Sequence, residues 1–213
     1  MKLNQNDYEN ALKFWGNNGI YKNDNFINIC YFGTLGYQYD LVTVIKGFIN
    51  ANIKNVRLII CGSGDNQNSL KELASKHDNI SFPGYIDAVQ LKVLMTFSHI
   101  GLYPPFKKDN YIKNIPGKVV EYLSEGLVIM NSLEESLVGK LLKDQDFGIS
   151  YESGDVNSFS NALVDLIENV KNKKFDKEKM ISFFNENFDQ KKVFKSYMNH
   201  IESSVDKIKS NVV

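Results

Sequence analysis

The run Asn114-Ile115-Pro116-Gly117-Lys118-Val119-Val120-Glu121-Tyr122-Leu123-Ser124-Glu125-Gly126, continued by Leu127-Val128-Ile129-Met130, decides how this chain is read. It runs as loop, short helix, glycine stop and apolar strand. Pro116 suits the first helical turn, since it has no N–H to leave unpaired and its φ is already helical. Gly117 lacks a Cβ, so a ligand can approach the backbone where the first amides of a helix have no internal acceptor. Val119, Val120 and Leu123 can face a core, while Lys118, Glu121 and Glu125 share another face at i, i+3, i+7 spacing. Amides beside a lysine favour an anion, and a carboxylate one turn later accepts hydrogen bonds from hydroxyls. Phosphate first and sugar hydroxyls next is the order of a nucleotide-sugar. The same residues also make an ordinary helix, in which a Lys–Glu pair contributes only about 0.2–0.5 kcal/mol. The surrounding chain has to separate the two readings.

Working outward, short apolar runs alternate with helical periodicity. Strands are expected at 26–32, 56–61, 80–82, 100–103, 128–130 and 148–151, and helices at 6–16, 41–51, 70–77, 88–97, 133–142 and 156–170. Such alternation means βαβ units, hence an α/β, doubly wound, Rossmann-like parallel sheet of about six strands. The runs are nearly continuously apolar, as for strands covered on both faces. After Asp155 the pattern is helix only, with 177–187 and 190–208 following. Residues 1–25 thus read as an N-terminal helix and linker, 26–170 as the sheet domain and 171–213 as a helical tail. Ligands of open parallel sheets sit beyond the carboxyl ends of the strands. The exits Gly33-Thr34-Leu35-Gly36, Gly62-Ser63-Gly64, Pro83-Gly84-Tyr85 and 104–113 are expected to converge on one crevice.

Composition narrows the classes. Lys plus Arg and Asp plus Glu each number 25, so no net charge draws the chain to nucleic acid. Cys30 and Cys61 both lie in apolar runs, as buried thiols of a reducing compartment do, and no Cys/His cluster suggests a metal. No apolar run approaches the roughly 20 residues that span a bilayer. The start, Met1-Lys2-Leu3-Asn4-Gln5, lacks a signal-peptide core. The expected location is cytoplasmic. The basic run Lys171 to Lys174 reads as a solvated loop that can also meet phosphates at the inner face of the membrane. Tyr37 and Tyr39 stand evenly between lining a sugar pocket and covering the sheet edge.

The ordered motifs Tyr31-Phe32-Gly33-Thr34-Leu35-Gly36, Leu58-Ile59-Ile60-Cys61-Gly62-Ser63-Gly64, Ile80-Ser81-Phe82-Pro83-Gly84-Tyr85 and the Pro-x-Lys-x-x-Glu-Tyr-Leu-x-x-Gly box at 116–126 resemble the glycosyltransferase group 1 family, the family 4 retaining transferases. The resemblance covers about 26–170 and is to the C-terminal, donor-binding domain of the GT-B fold. It implies transfer from a nucleotide-sugar, expected to be UDP-linked, without a metal or other cofactor, in surface polysaccharide assembly. It implies that Glu121 binds the ribose hydroxyls. Asn114, Ile115, Gly117 and Lys118 would hold the diphosphate and sugar, with Pro116 shaping the loop. Tyr85 and Ile86 would meet the base, and Gly33, Thr34 and Gly62 would lie near the phosphates.

Two positions depart from the family pattern. Its first acidic residue would fall where this chain has Lys113, and Tyr37-Gln38-Tyr39-Asp40 lacks the usual basic residues after the first strand. Lys113 and Lys118 are the candidates to supply that charge. Catalytic groups on the acceptor side are expected in an N-terminal domain that this chain does not show. The apolar tail residues Val193, Tyr197, Ile201, Val205 and Ile208 accordingly imply a partner chain or self-association. A non-catalytic nucleotide-sugar-binding module, or a truncated remnant lacking the acceptor domain, is the competing reading.

Overall fold

The structure, a computed structural model, describes residues 4–22 and 25–210, with side chains as far as Ser204. The expectations placed on Met1 to Leu3, Val205 and Ile208 fall outside what is described. In chain order the elements are α1 (Gln5–Asn17), β1 (Ile27–Phe32), α2 (Leu41–Ala51), β2 (Val56–Cys61), α3 (Gln67–Ala74), β3 (Ile80–Gly84), α4 (Ala88–Phe97) and β4 (Ile100–Tyr103). They continue as α5 (Asp109–Ile112), α6 (Gly117–Ser124), β5 (Val128–Asn131), α7 (Leu137–Gln145), β6 (Gly148–Ser150), α8 (Val156–Lys171), α9 (Lys177–Asn187) and α10 (Gln190–Ser210).

The six strands form one sheet in the order β3-β2-β1-β4-β5-β6, parallel at every pairing. The chain runs outward from β1 to β3, then returns to the other side of β1 for β4 to β6. The connections after β1 and β4 therefore leave in opposite directions and open a crevice at the carboxyl ends of these strands. Helices cover both faces, so β1 and β2 bury consecutive residues: Ile29, Cys30 and Tyr31 in one, Leu58 to Cys61 in the other.

Close packing fixes where the crevice walls stand. A Cβ on Gly101 of β4 would lie 2.4 Å from the Tyr122 ring, so glycine there lets α6 sit directly against the sheet. The Tyr122 hydroxyl reaches the carbonyls of Cys30, at 3.2 Å, and Leu102, at 3.1 Å, anchoring α6 across β1 and β4. On the other face, Gly47 admits Phe159 between α2 and α8. Trp15 is fully buried and its indole N–H donates to Gln90 O at 2.9 Å, fastening α1 to α4.

Four local expectations need correction. Pro116 is the N-cap of α6 and not its first residue: its ψ of 155° is extended, and its carbonyl accepts from Val119 N at 3.0 Å. Proline's fixed φ serves both positions, so the sequence pattern does not separate them. Helix α7 begins at Leu137 and not Leu133, because Ser136 accepts from Gly139 N at 3.0 Å and its hydroxyl bonds Leu133 O at 2.7 Å. Helix α3 lies three residues earlier than 70–77 at both ends. The loop 104–113 contains the short helix α5.

Helix α9 packs on α6 and buries Met180, while Phe183 meets Phe147 edge-on at 5.3 Å. Helix α10 carries Val193, Phe194, Tyr197 and Ile201 exposed.

Candidate functional site

Three of the four strand exits meet. The turns after β1 and β2 interlock through Gly33 N to Cys61 O at 3.1 Å and Leu35 N to Ser63 O at 2.9 Å, and Gly62 N bonds Gly84 O at 2.7 Å. Gly62 has φ +131°, and a Cβ there would fall 1.8 Å from Gly33 O. Gly62 is thus required first for turn-to-turn contact. These turns bound a cleft of about 280 Å³ whose lining includes Gly33, Thr34, Gly62, Tyr85 and Ile86. Tyr85, 80% exposed, stands at its lip as a free aromatic face.

The fourth exit does not join them as expected. Tyr39 and Pro105 form an isolated bridge, and Phe106 and Lys107 beyond it line a separate cleft toward β6. Only the far end of this connection, through α5, returns the chain to the start of α6.

There the first turn of α6 is open. Pro116 provides no side-chain cap, Gly117 is exposed with no atom within 4 Å of its absent Cβ, and the amides of Gly117 and Lys118 precede the first intrahelical bond. Lys113 and Asn114 are exposed. Ile115 packs against the core.

The side chain of Lys118 turns inward and ends beneath the Gly33 turn, its Nζ 3.4 Å from where a Cβ of Gly33 would stand. The ammonium lies 3.7 Å from the Tyr31 ring centroid and 4.3 Å from that of Tyr39. Its backbone end reaches solvent, but Nζ is enclosed and has no hydrogen-bond partner among the described residues. Burial pulls its pKa down to about 7, against the opposing influence of Cys30 and Glu121. An enclosed cation with only aromatic faces for company is attracted to them, yet its three donors remain unused.

Glu121 follows one turn later at the exposed rim, its carboxylate without a hydrogen bond or ion pair to a described residue. Burial raises its pKa, and Lys118 partly offsets this. Glu125 turns to α4 and pairs with Lys92. Burial pushes the Cys30 thiol up to about 12 and raises Cys61 as well, so neither is a nucleophile at neutral pH. Among the described residues, no three His, Cys, Asp or Glu side chains gather as a metal site. No helix among them is long and apolar enough to cross a membrane.

The structure therefore brings Gly33, Thr34, Gly62, Tyr85 and Ile86 together, and joins Gly33 to Lys118 across the crevice. The sequence reading did not find the tyrosine walls around Lys118. Tyr31 lies within an apolar strand run and reads as core, and the sequence leaves Tyr39 evenly between two roles. Tyr39 in fact packs on Tyr31, ring centroids 5.8 Å apart, and tilts against Tyr111 at 6.1 Å.

Comparison with known proteins fits this geometry. Residues 17–182 match the family described as glycosyl transferases group 1. No curated protein matches the sequence. Among solved structures, the chain superposes on a glycosyltransferase from Rickettsia africae with a TM-score of 0.75 at 11% identity, covering 95% of this chain and 52% of that one. An Anabaena protein crystallised with UDP and glucose gives 0.70 at 14% identity, covering 94% and 53%. The C-terminal domain of a group 1 family protein from Francisella tularensis gives 0.65 at 13% identity, covering 89% and 100%. The chain thus spans about half the length of the first two and the whole of the third.

Proposed function

Because the chain belongs to the group 1 glycosyl transferases, we propose that it is the donor-binding half of a retaining glycosyltransferase that uses a nucleotide-sugar, with UDP as the nucleotide. The observation that carries this reading is the enclosed, unpartnered Lys118 ammonium between an uncapped helix start and the Gly33 turn. A diphosphate laid across the Gly117 and Lys118 amides would give that ammonium its missing acceptors. As the glycosidic bond breaks, negative charge grows on the departing nucleoside diphosphate. Amides and one lysine already aimed at that position stabilise it without reorganising. Glu121 accepts from the ribose hydroxyls, and Tyr85 and Ile86 take the base. Lys118 does the work of the basic residues absent from 37–40, and no metal is needed.

In this reading the acceptor is bound by a domain of similar size, either on a partner chain or on a further part of the protein, with the exposed stripe Val193, Phe194, Tyr197 and Ile201 of α10 as the meeting surface; self-association is the other use of that stripe. The product belongs to a surface polysaccharide, assembled in the cytoplasm or at the inner face of the membrane. A second reading, a non-catalytic nucleotide-sugar-binding module, is favoured by Lys113 at the position where the family carries its first acidic residue.

Calorimetric titration with UDP, ADP, GDP and UDP-glucose tests the site. Binding of the uridine ligands that is lost in Glu121→Ala supports it, and no binding by any of the four removes it. Transfer or donor hydrolysis after addition of an acceptor-domain partner separates the enzyme from the module.

A further inference from the structure

We propose that the separate cleft at the carboxyl ends of β5 and β6 is a second carbohydrate site, taking a neutral or amino-bearing saccharide. Its capacity to hold a sugar does not depend on the transferase reading above, in which a separate domain binds the acceptor.

The cleft has a volume of about 690 Å³ and lies between the exits of β4, β5 and β6. All strands are parallel, so it opens on the same end of the sheet as the nucleotide crevice, beyond the Tyr39–Pro105 bridge. Its chemistry differs from that crevice. Glu134, Glu135 and Glu152 line it with one lysine, Lys107, while Glu134 also lies 3.8 Å from Lys143 outside the lining. The lining carries more negative than positive charge, which disfavours phosphate and favours groups that donate hydrogen bonds. Lys107 pairs with Glu135 at 2.5 Å, holding that carboxylate below its usual range and in place.

The walls suit a sugar ring. Phe106, 37% exposed, offers an apolar face at the rim. Ser150 accepts from Asn131 Nδ2 at 3.2 Å and Ser158 from Glu152 N at 2.9 Å, which leaves both hydroxyl protons available to a ligand. On the floor, Tyr151 is 4% exposed and its hydroxyl has no partner of good geometry among the described residues. The neighbouring Ser132 hydroxyl gives its proton to Pro105 O at 2.5 Å, so it can only accept from the phenol, whose own lone pairs have no donor. The Ser153 hydroxyl is likewise enclosed and unpartnered. Enclosed hydroxyls with unused hydrogen-bonding capacity are costly, and two in one cleft beside the Glu152 carboxylate mark a place built for hydroxyl ligands.

The test is an amide-resolved NMR titration of the 213-residue chain with methyl α-glucoside, N-acetylglucosamine, glucosamine and maltose, each with and without saturating UDP. The expected result is saturable shifts confined to the loops around Phe106, Glu135 and Ser153 for at least one sugar. Phe106→Ala and Glu135→Gln should each weaken that binding about fivefold or more. UDP should shift Gly33 and Gly62 instead. If UDP shifts nothing while the sugar shifts persist, the donor reading fails and this one stands. No sugar-induced shift in these loops, unchanged binding in both variants, or UDP entering this cleft would overturn the proposal.

Discussion

Replacing Lys118 by methionine keeps the length and flexibility of the side chain and removes only its charge and donors. The free protein carries that charge at a cost. Enclosure lowers the lysine from its ordinary 10.5 to about 7, and about 1.4 kcal/mol accompanies each tenfold change in protonation, roughly 5 kcal/mol in all. Contacts with the Tyr31 and Tyr39 rings return about 1–2 kcal/mol, leaving a penalty on the order of 3 kcal/mol. The folded pKa lies below the unfolded one, so between pH 7 and 10.5 the unfolded chain binds more protons and stability rises with pH. Below that window the penalty is present in full. Lys118→Met should therefore be more stable than the parent by about 2–3 kcal/mol near pH 6.5 in urea titrations, with the gap narrowing above pH 7 and closing only as pH passes about 10.5.

Nucleotide binding should respond in the opposite sense. A charge-assisted hydrogen bond to phosphate is worth about 1.5–3 kcal/mol, so the variant should bind UDP roughly 10- to 100-fold more weakly. Binding by the parent at pH 8 should take up as much as about one proton, seen as a dependence of the calorimetric enthalpy on the buffer. Its affinity should fall toward pH 9, well above the second phosphate ionisation near 6. A variant that is less stable at pH 6.5 and binds UDP like the parent, with no proton uptake in either, would refute the reasoning.

Other substitutions probe the remaining walls. Gly62→Ala forces a Cβ onto Gly33 O at a φ of +131° and should cost about 1–3 kcal/mol by urea unfolding; an unchanged midpoint would show that the turns can part freely. Tyr85→Ala should weaken UDP about tenfold while leaving pyrophosphate binding alone, because base–aromatic stacking contributes about 1–3 kcal/mol. Equal losses for both ligands would place the base elsewhere. Glu121→Gln keeps an acceptor but loses the charge, and should reduce UDP affinity less than Glu121→Ala does; identical affinities in parent and both variants would take this carboxylate out of the site.

Much of this molecule is legible before folding. The alternation of apolar runs and 3.6-residue periodicity reports which faces must leave water, so the six strands, their parallel pairing and the box at 116–126 could be read directly. The misplaced ends at Pro116 and Ser136 turn on single cap hydrogen bonds that hydrophobic spacing does not encode. The family resemblance makes Gly62 a ligand contact, whereas its packing against Gly33 O appears only when two strand exits, 29 residues apart in sequence, are set side by side.

The sequence by itself determined the sheet, a helix beginning near Pro116 and the presence of a lysine and a carboxylate one turn apart. Those are local facts, set by residue spacing and backbone preference. Tertiary structure alone decided that Lys118 points inward to Tyr31 and Tyr39, that Glu125 is spent on Lys92, and that the exit of β4 splits away to form a second cleft. Each depends on which side chains from distant segments arrive in the same space, and the electrostatic state of a buried group is set by those neighbours and by the water they exclude.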